Sequence, residues 1–557
     1  MSATDAPPHY TAARALVEAL LVQGVDHVFC VPGESYLAVL NALADYRDRI
    51  RVITCRHEAG AANMAEAYGK LTGRPGICMV TRGPGATHAS VGVHTAQQDS
   101  TPMILFVGQI ARGDRGRGAF QEVDYTQMFG SLAKLAIELD DSKRVNEIVH
   151  RAFSTALQGR RGPVVVALPE DMLIEDVVPS PSLRVGPRPS GLAPSVASQI
   201  AERLEAAERP LLLLGGSGWD NEALSALKDW AEILRLPVVL SFRRKDLWDN
   251  EHACYVGDLG LGTNPKLLER IGAADLILAI GARLGENASQ GYSLLTQEEA
   301  AERLIHILAE PGEIGRVWPT SIGAVANPSE AASTIAQISI RRRWEAWRAA
   351  ARLDYENFSA PIKVSGEVNL SEIFQQFQAL LGPDAIICNG AGNYAAWLHR
   401  FHRHRTRPSQ LAPTSGAMGY GLPASITAKL LYPDRDVIAV AGDGCFLMIG
   451  QELATAVQNE VNIIVVVVDN GSYGTIRMHQ ETQYPGRTIA TDLRNPDFVA
   501  FARAFGAWAT RVERSEAFPA ALAQARKAGL PALIHLVTSI EDIAPGRSMS
   551  DLQARTR

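Results

Sequence analysis

The sequence predicts an α/β protein built from three doubly wound parallel-sheet domains, and two observations carry that prediction. Short apolar runs alternate with amphipathic helical stretches along almost the whole chain, and two interruptions divide the alternation into three sets. At 557 residues the chain also exceeds what one ordinary core supports.

In the first set, "AARALVEALL", "VFCV", "LAVLNALADY", "RVIT", "HEAGAANMAEAYGKLTG", "GICMV" and "MILFVG" read as successive βαβ units, giving a domain over 1–180. The proline-rich "PSPSLRVGPRPSGLAPS" at 179–195 reads as a linker. The alternation resumes with "PLLLLGGSG", "LPVVLS", "ADLILAIGARLG" and "RLIHILAEP", which give a central domain over 190–345. A polar stretch, "RRRWEAWRAAARLDYENFSAP", reads as a helical connector. The third set, over 362–550, contains "DAIICNGAG", "DVIAVAGDG", "VNIIVVVVDNG" and "PALIHLV", most of them closed by Gly, Asn or Asp. Ligands of open parallel sheets gather at the carboxyl ends of the strands, where those polar residues fall.

A composition of 46% hydrophobic and 20% charged residues is that of a globular protein, and a net charge of -6 gives no attraction for a polyanion. Nucleic acid is therefore not an expected partner. The longest aliphatic run, "IIVVVV", is far too short to span a bilayer, so no membrane association is expected. The six cysteines include no C-x-x-C pair and several lie in apolar runs, which reads as reduced core thiols and a cytoplasmic protein.

The chemistry concentrates in "VIAVAGDGCFLMIG" at 437–450, where an apolar strand runs into Gly442, Asp443 and Gly444. The next apolar run ends in Asn470, with the helix-like "FLMIGQELATAVQ" between them. A right-handed crossover of that length returns the second strand beside the first and brings carboxylate and amide oxygen together. Hard oxygen ligands with open positions suit Mg²⁺ bridging to phosphates, and the glycines let an anion approach the backbone. "GDGCFL" lacks the third glycine of a dinucleotide fingerprint, and no G-x-x-x-x-G-K-[ST] is present. Taken alone, "GDG" is equally a turn with a capping aspartate.

"GDG" followed after 25 residues by Asn470 in "DNGSYG" resembles the thiamine diphosphate motif of the acetolactate synthase and benzoylformate decarboxylase superfamily, a group that includes benzaldehyde lyase. "RHEAGAANMAEAYGKLTG", "TRGPGATHA", "AFQEVD", "RGPVVVALPED" and "TSGAMGYGLPASITA" resemble further segments of that family in the same order, so the likeness covers the whole chain. It implies a pyrimidine-binding first domain and a diphosphate-binding third domain, with thiamine diphosphate and Mg²⁺ as cofactors.

By that resemblance Asp443, Asn470 and the Ser472 carbonyl hold Mg²⁺, and Gly442, Gly444, Cys445, Gly392, Asn393, Tyr394, Gly416, Tyr473 and Gly474 line the diphosphate site. Asn393 and Tyr394 depart from the Gln-His pair common in acetolactate synthases. Glu58 stands where the family has the glutamate that hydrogen-bonds the aminopyrimidine and relays a proton; read alone, it is an acid at a helix N-terminus. Met418 matches the residue that props the cofactor into its bent form, against a plain role as core filler. Gln121 matches a polar side chain facing the reaction centre, against a surface glutamine. His94 is read as a packed, satisfied histidine.

The pocket expected around the substrate comprises Glu34, Ser35, Ile476 and His479. His479 replaces the Trp of a Q-W-Q sequence, and Glu34 and Ser35 depart from the family's small turn. FAD in the central domain is allowed by "GGSG" but not favoured, because "GARLGENASQGY" departs from the family's sequence there. The resemblance implies decarboxylation of a pyruvate-like 2-oxo acid and ligation of the product to a second carbonyl. The alternative is a decarboxylase or C–C lyase that does not ligate, acting on a 2-oxo acid or ketol. It also implies a homodimer or homotetramer with active sites at the subunit interface.

Overall fold

The computed structural model describes residues 10–186 and 190–554; the first nine residues, the last three, and residues 187–189 of the proline-rich stretch lie outside it. The chain divides into two compact units. The first comprises residues up to 188 with 426–428 and 451–459, and the second comprises the remainder.

The first unit holds a six-stranded sheet of β1 (His27–Cys30), β2 (Arg51–Thr54), β3 (Gly76–Val80), β4 (Met103–Gln109), β5 (Leu135–Glu138) and β6 (Pro163–Pro169). Its order is β2-β1-β3-β4-β6-β5, and every pairing is parallel. Strands β3, β4 and β6 are buried along their whole length, which is why they read as continuous apolar runs.

Two helices frame the carboxyl ends of these strands. Helix α1 (Glu58–Thr72) starts at the N-cap His57, whose ring accepts the Ala59 N–H, and stops at Gly73, which takes the left-handed conformation. Helix α2 (Pro84–Asp99) starts with proline at its first position, where no N–H is needed.

The second unit holds two more parallel six-stranded sheets. The central one contains β7 (Pro210–Leu214), β8 (Val238–Leu240), β9 (Tyr255–Asp258), β10 (Leu276–Ile280), β11 (Leu304–Leu308) and β12 (Ile322–Val325), in the order β12-β11-β10-β7-β8-β9. The other contains β13 (Ile386–Asn389), β14 (Gln410–Leu411), β15 (Val437–Gly442), β16 (Ile464–Asp469), β17 (Trp508–Val512) and β18 (Ala532–Val537), in the order β14-β13-β15-β16-β18-β17. The polar connector is helical over Glu345–Phe358, as its sequence predicts. Buried Lys245 links the two sheets' surroundings by donating to the carbonyls of His399 and His402.

Each sheet has a reversal of winding direction near its middle: between β1 and β3, between β7 and β10, and between β13 and β15. Such reversals splay the connecting loops apart and open a crevice. The crossover from β15 to β16 departs from its expectation of one helix. It contains a short helix, α3 (Asp443–Leu447), a break at Gly450, and then α4 (Leu453–Gln458). A side chain at Gly450 would press on the Phe446 ring, and residues 451–459 then join the first unit.

Candidate functional site

The reversal between β13 and β15 opens into a cavity of about 240 Å³. Its wall includes Gly392, Asn393 and Tyr394 after β13, Gly416 and Met418 after β14, and Gly442, Asp443, Gly444 and Cys445 after β15. Asn470, Ser472, Tyr473, Gly474 and Ile476 after β16 complete the set that the sequence assigns to it. Parallel pairing of β15 with β16 places Gly442 beside Val468, so their two loops emerge together.

Asp443 lies at the centre and is buried. Its Oδ1 accepts the Gly444 N–H at 2.9 Å, and its Oδ2 accepts the Ser472 N–H at 3.2 Å and the Asn495 amide at 2.8 Å. The Ser472 N–H is also 3.2 Å from the Asn470 Oδ1, so one donor gathers both predicted ligand oxygens. Burial pushes the Asp443 carboxyl up to about 6, and the nearby Asp469 carboxylate adds to the rise against the opposing hydrogen bonds. Asp469 is held low by donors, chiefly the His535 ring at 2.9 Å and the Gly471 N–H.

The glycines have steric reasons. A side chain at Gly444 would strike the Tyr473 ring at 2.4 Å, and Gly392 has φ +146 with Tyr394 packed against it. Tyr394 is buried, its hydroxyl accepting the Gly390 N–H and facing the Cys445 thiol, so it builds the wall rather than offering a free polar group. Asn393 bridges Thr475 and the Ile543 carbonyl with its amide. Asn495 escapes sequence reading because "TIATDLRNPD" has no periodicity or motif. It reaches the site because Tyr473 N–H donates to Thr491 O, Ser472 pairs with Asp492 and Leu493 N–H donates to Gly471 O.

Two of the residues expected around the substrate lie outside the cavity wall. His479 is exposed on the helix Gly474–Gln483 and is not among the residues lining the cavity, whereas Ile476, one turn earlier, is. Ser35 is fully buried, with its hydroxyl 2.9 Å from Thr81 Oγ1 and accepting the Arg82 N–H; it is committed to packing against Gly108.

The first unit gathers a second constellation at the carboxyl ends of its strands. Glu58 opens α1 with a side chain only 13% exposed, a poorly solvated setting as expected. Its Oε2 is 2.9 Å from His88 Nδ1, and its Oε1 lies against Gly85 of the Gly-Pro-Gly turn. Gln121 packs against Gly83 of the same turn with φ 63, a left-handed conformation rare for a residue with a side chain. Glu122 organises that loop by accepting the Gly116 and Ala119 N–H groups. Glu34 is exposed, 3.9 Å from the Arg82 guanidinium, which also pairs with Glu170 at 2.6 Å. His94 is exposed, which corrects its reading as a packed histidine.

Glu452 supports the start of α1 and has no counterpart in the sequence reading. It is fully buried within the first unit and accepts the Arg56 and His57 N–H groups at 3.0 and 2.9 Å and the Thr455 hydroxyl. It thereby fixes the turn from which Glu58 projects. Burial raises its carboxyl. The only sequence signal is an acid in "GQELATAV", a segment that reads as an ordinary amphipathic helix.

Known proteins resemble this chain along most of its length. Residues 10–128 match the thiamine pyrophosphate enzyme N-terminal TPP binding domain, 197–335 its central domain, and 390–536 its C-terminal TPP binding domain. The chain is 32% identical to an acetolactate synthase large subunit of Parasynechococcus marenigrum over 545 residues, covering 95% of this chain and 88% of that protein. It is 30% identical to an acetolactate synthase of Mycobacterium bovis, covering 98% and 91%. This chain belongs to the thiamine pyrophosphate enzyme family. It is also 27% identical to the acetolactate synthase isozyme 2 large subunit of Escherichia coli, covering 97% and 98%. Membership of this family makes the chain an enzyme, and its first and third sheets are the family's two thiamine pyrophosphate binding domains. Among the described residues no helix is long and apolar enough to cross a membrane.

Removing the buried Glu452 carboxylate leaves two backbone N–H groups without their partner, at a cost of about 1–3 kcal/mol. Glu452→Ala is therefore expected to lower the thermal midpoint and to reduce turnover through Glu58, while thiamine diphosphate still binds the intact third-sheet cavity. Calorimetry and a cofactor titration check both parts.

Proposed function

We propose that this chain is a thiamine diphosphate- and Mg²⁺-dependent carboligase, similar to acetolactate synthase. It decarboxylates a pyruvate-like 2-oxo acid and joins the remaining acyl carbon to a second carbonyl compound. The observation that carries this reading is Asp443 and Asn470, two hard oxygen donors brought under one N–H in the wall of a cavity also lined by Gly392, Gly416, Gly442 and Gly444. The donor set fits Mg²⁺: a carboxylate, an amide oxygen and the Ser472 carbonyl, with positions left for phosphate oxygens.

Thiamine diphosphate supplies the carbanion chemistry when bound. Asp443, Asn470 and Ser472 hold the metal, and Gly442, Gly444 and Cys445 present backbone to the diphosphate. Met418 supports the ring system from the cavity wall. Glu58 delivers and recovers a proton at its Oε1, the oxygen not engaged by His88. Gln121, held in its strained turn, faces the reacting carbonyl. Ile476, Val364, Val368, Leu370 and Ile543 give the cavity an apolar wall. Cavity and Glu58 constellation lie in different units of the chain, and we assign each complete site to two subunits of a homodimer or a dimer of dimers. All six cysteines are free and buried, which supports a cytoplasmic setting.

The central sheet argues against FAD. At its reversal point a side chain on Gly216 would lie 2.1 Å from the Gly281 carbonyl oxygen, and the Gly215 N–H donates to Ile280 O. The Trp219 indole fills the Gly215 carbonyl, and buried His306 holds Ala282. Backbone packed on backbone thus explains Gly216 of "GGSG", side chains close around Gly215 and Gly218, and we infer that the central domain holds no flavin.

Purified enzyme should be colourless and, with thiamine diphosphate, Mg²⁺ and pyruvate, should yield acetolactate or a mixed ketol by proton NMR. Acetaldehyde as the sole product would favour the non-ligating decarboxylase. A proton competes with Mg²⁺ for Asp443. The carboxyl is raised from an ordinary value of 3.8 to about 6, so its protonated form stabilises the metal-free protein fully below 3.8. That stability is lost as the pH rises through about 6, where the carboxylate becomes available to the metal. Mg²⁺ affinity measured by calorimetry should therefore be flat above pH 7 and fall by about tenfold per unit below 6.

A further inference from the structure

Glu58 must exchange protons repeatedly, yet its carboxyl group is nearly closed off from water. Its titratable neighbours come from four elements. Tyr36, following β1, and Cys78, in β3, are buried and pushed upward by burial, which keeps both neutral. His57, at the cap of α1, is held low by burial and by His88, and its Nδ1 is occupied by the Ala59 N–H. His88, on α2, differs from all three. Its Nδ1 is 2.9 Å from Glu58 Oε2, its ring lies 4.6 Å from that of His57, and its side chain is 50% exposed.

We propose that His88 is a relay and positioning residue acting through Glu58. This inference rests on the reading of Glu58 as the proton-transferring carboxyl. His88 holds Oε2, which leaves Oε1 turned to the Gly-Pro-Gly side. After Glu58 gives up its proton from Oε1, a solvent acid protonates His88 Nε2 and the proton on Nδ1 passes to Glu58 Oε2. The carboxyl is then reloaded and the imidazole is neutral again, now as the other tautomer. Return of the Oε2 proton to Nδ1, with loss of the Nε2 proton to solvent, restores the original tautomer, and Glu58 then takes back at Oε1 the proton it first gave up. An imidazole can carry a proton between its two nitrogens, and an amide in the same place cannot.

The test uses full-length enzyme loaded with thiamine diphosphate and Mg²⁺, without substrate. The rate at which the cofactor's thiazolium C2 hydrogen exchanges with deuterated water is measured by quenched-flow NMR, and cofactor Kd is measured by tryptophan fluorescence. His88→Asn retains a hydrogen-bond donor but cannot relay, so both His88→Asn and His88→Ala should slow exchange by about a hundredfold. Their Kd should stay within about twofold of the parent, because neither touches the diphosphate cavity. Exchange at the parental rate in His88→Asn would overturn the relay, and parental exchange in His88→Ala would overturn both roles. Glu58→Gln is the control: if it exchanges normally, the reading of Glu58 fails rather than that of His88 alone.

Discussion

Asp443 is a carboxylate taken out of water at the end of a buried strand, and the third sheet is organised around making that tolerable. An ionised carboxyl without partners costs several kcal/mol in such a place. Three donors meet it: the N–H groups of Gly444 and Ser472 and the Asn495 amide. Each comes from a different stretch of chain, and each imposes a requirement. The Gly444 donor requires a residue without a side chain beneath Tyr473, the Ser472 donor requires parallel pairing of β15 with β16, and Asn495 requires the loop at 491–495 to fold back. Even so, burial leaves the carboxyl raised, a residual cost that a bound cation offsets on our reading.

The same winding rule is used three times with different outcomes. Between β13 and β15 the loops separate and leave a cavity lined by backbone and glycine. Between β1 and β3 they carry ionisable groups, with Glu34 on one side and Arg82 on the other, and Glu58 arrives from the neighbouring β2. Between β7 and β10 the loops close on each other. A reversal of strand order thus provides a place for a ligand, and side-chain size at a few loop positions decides whether one fits. In the third sheet glycine lets Tyr394 and Tyr473 pack against the backbone of the cavity wall; in the central sheet Gly216 permits backbone contact with Gly281 instead.

Periodicity made the fold legible: buried parallel strands read as unbroken apolar runs, and the glycine stop of α1 and the proline start of α2 are local. The residues that the family resemblance singles out line one cavity because they follow neighbouring strands of one sheet, and position after a strand is a one-dimensional property. Residues whose role depends on a partner distant in sequence were not legible. Glu452 lies 395 positions from the His57 N–H it accepts, and Asn495 lies 52 from Asp443. Polarity near a motif gives no direction: the Ser35 hydroxyl is buried against Thr81, and His479 is exposed and does not line the cavity. His88 is recognisable only once two helices bring it beside Glu58.

The central claim is that a working site needs Asp443 from one subunit and Glu58 from another. It is tested most directly by mixing two inactive variants, Glu58→Gln and Asp443→Ala, under conditions in which subunits exchange. A mixed dimer then has one site with both native residues and one with neither. Random pairing should restore about a quarter of the parental activity. A mixture that stays inactive after demonstrated subunit exchange would place both residues in one chain's site and contradict the account.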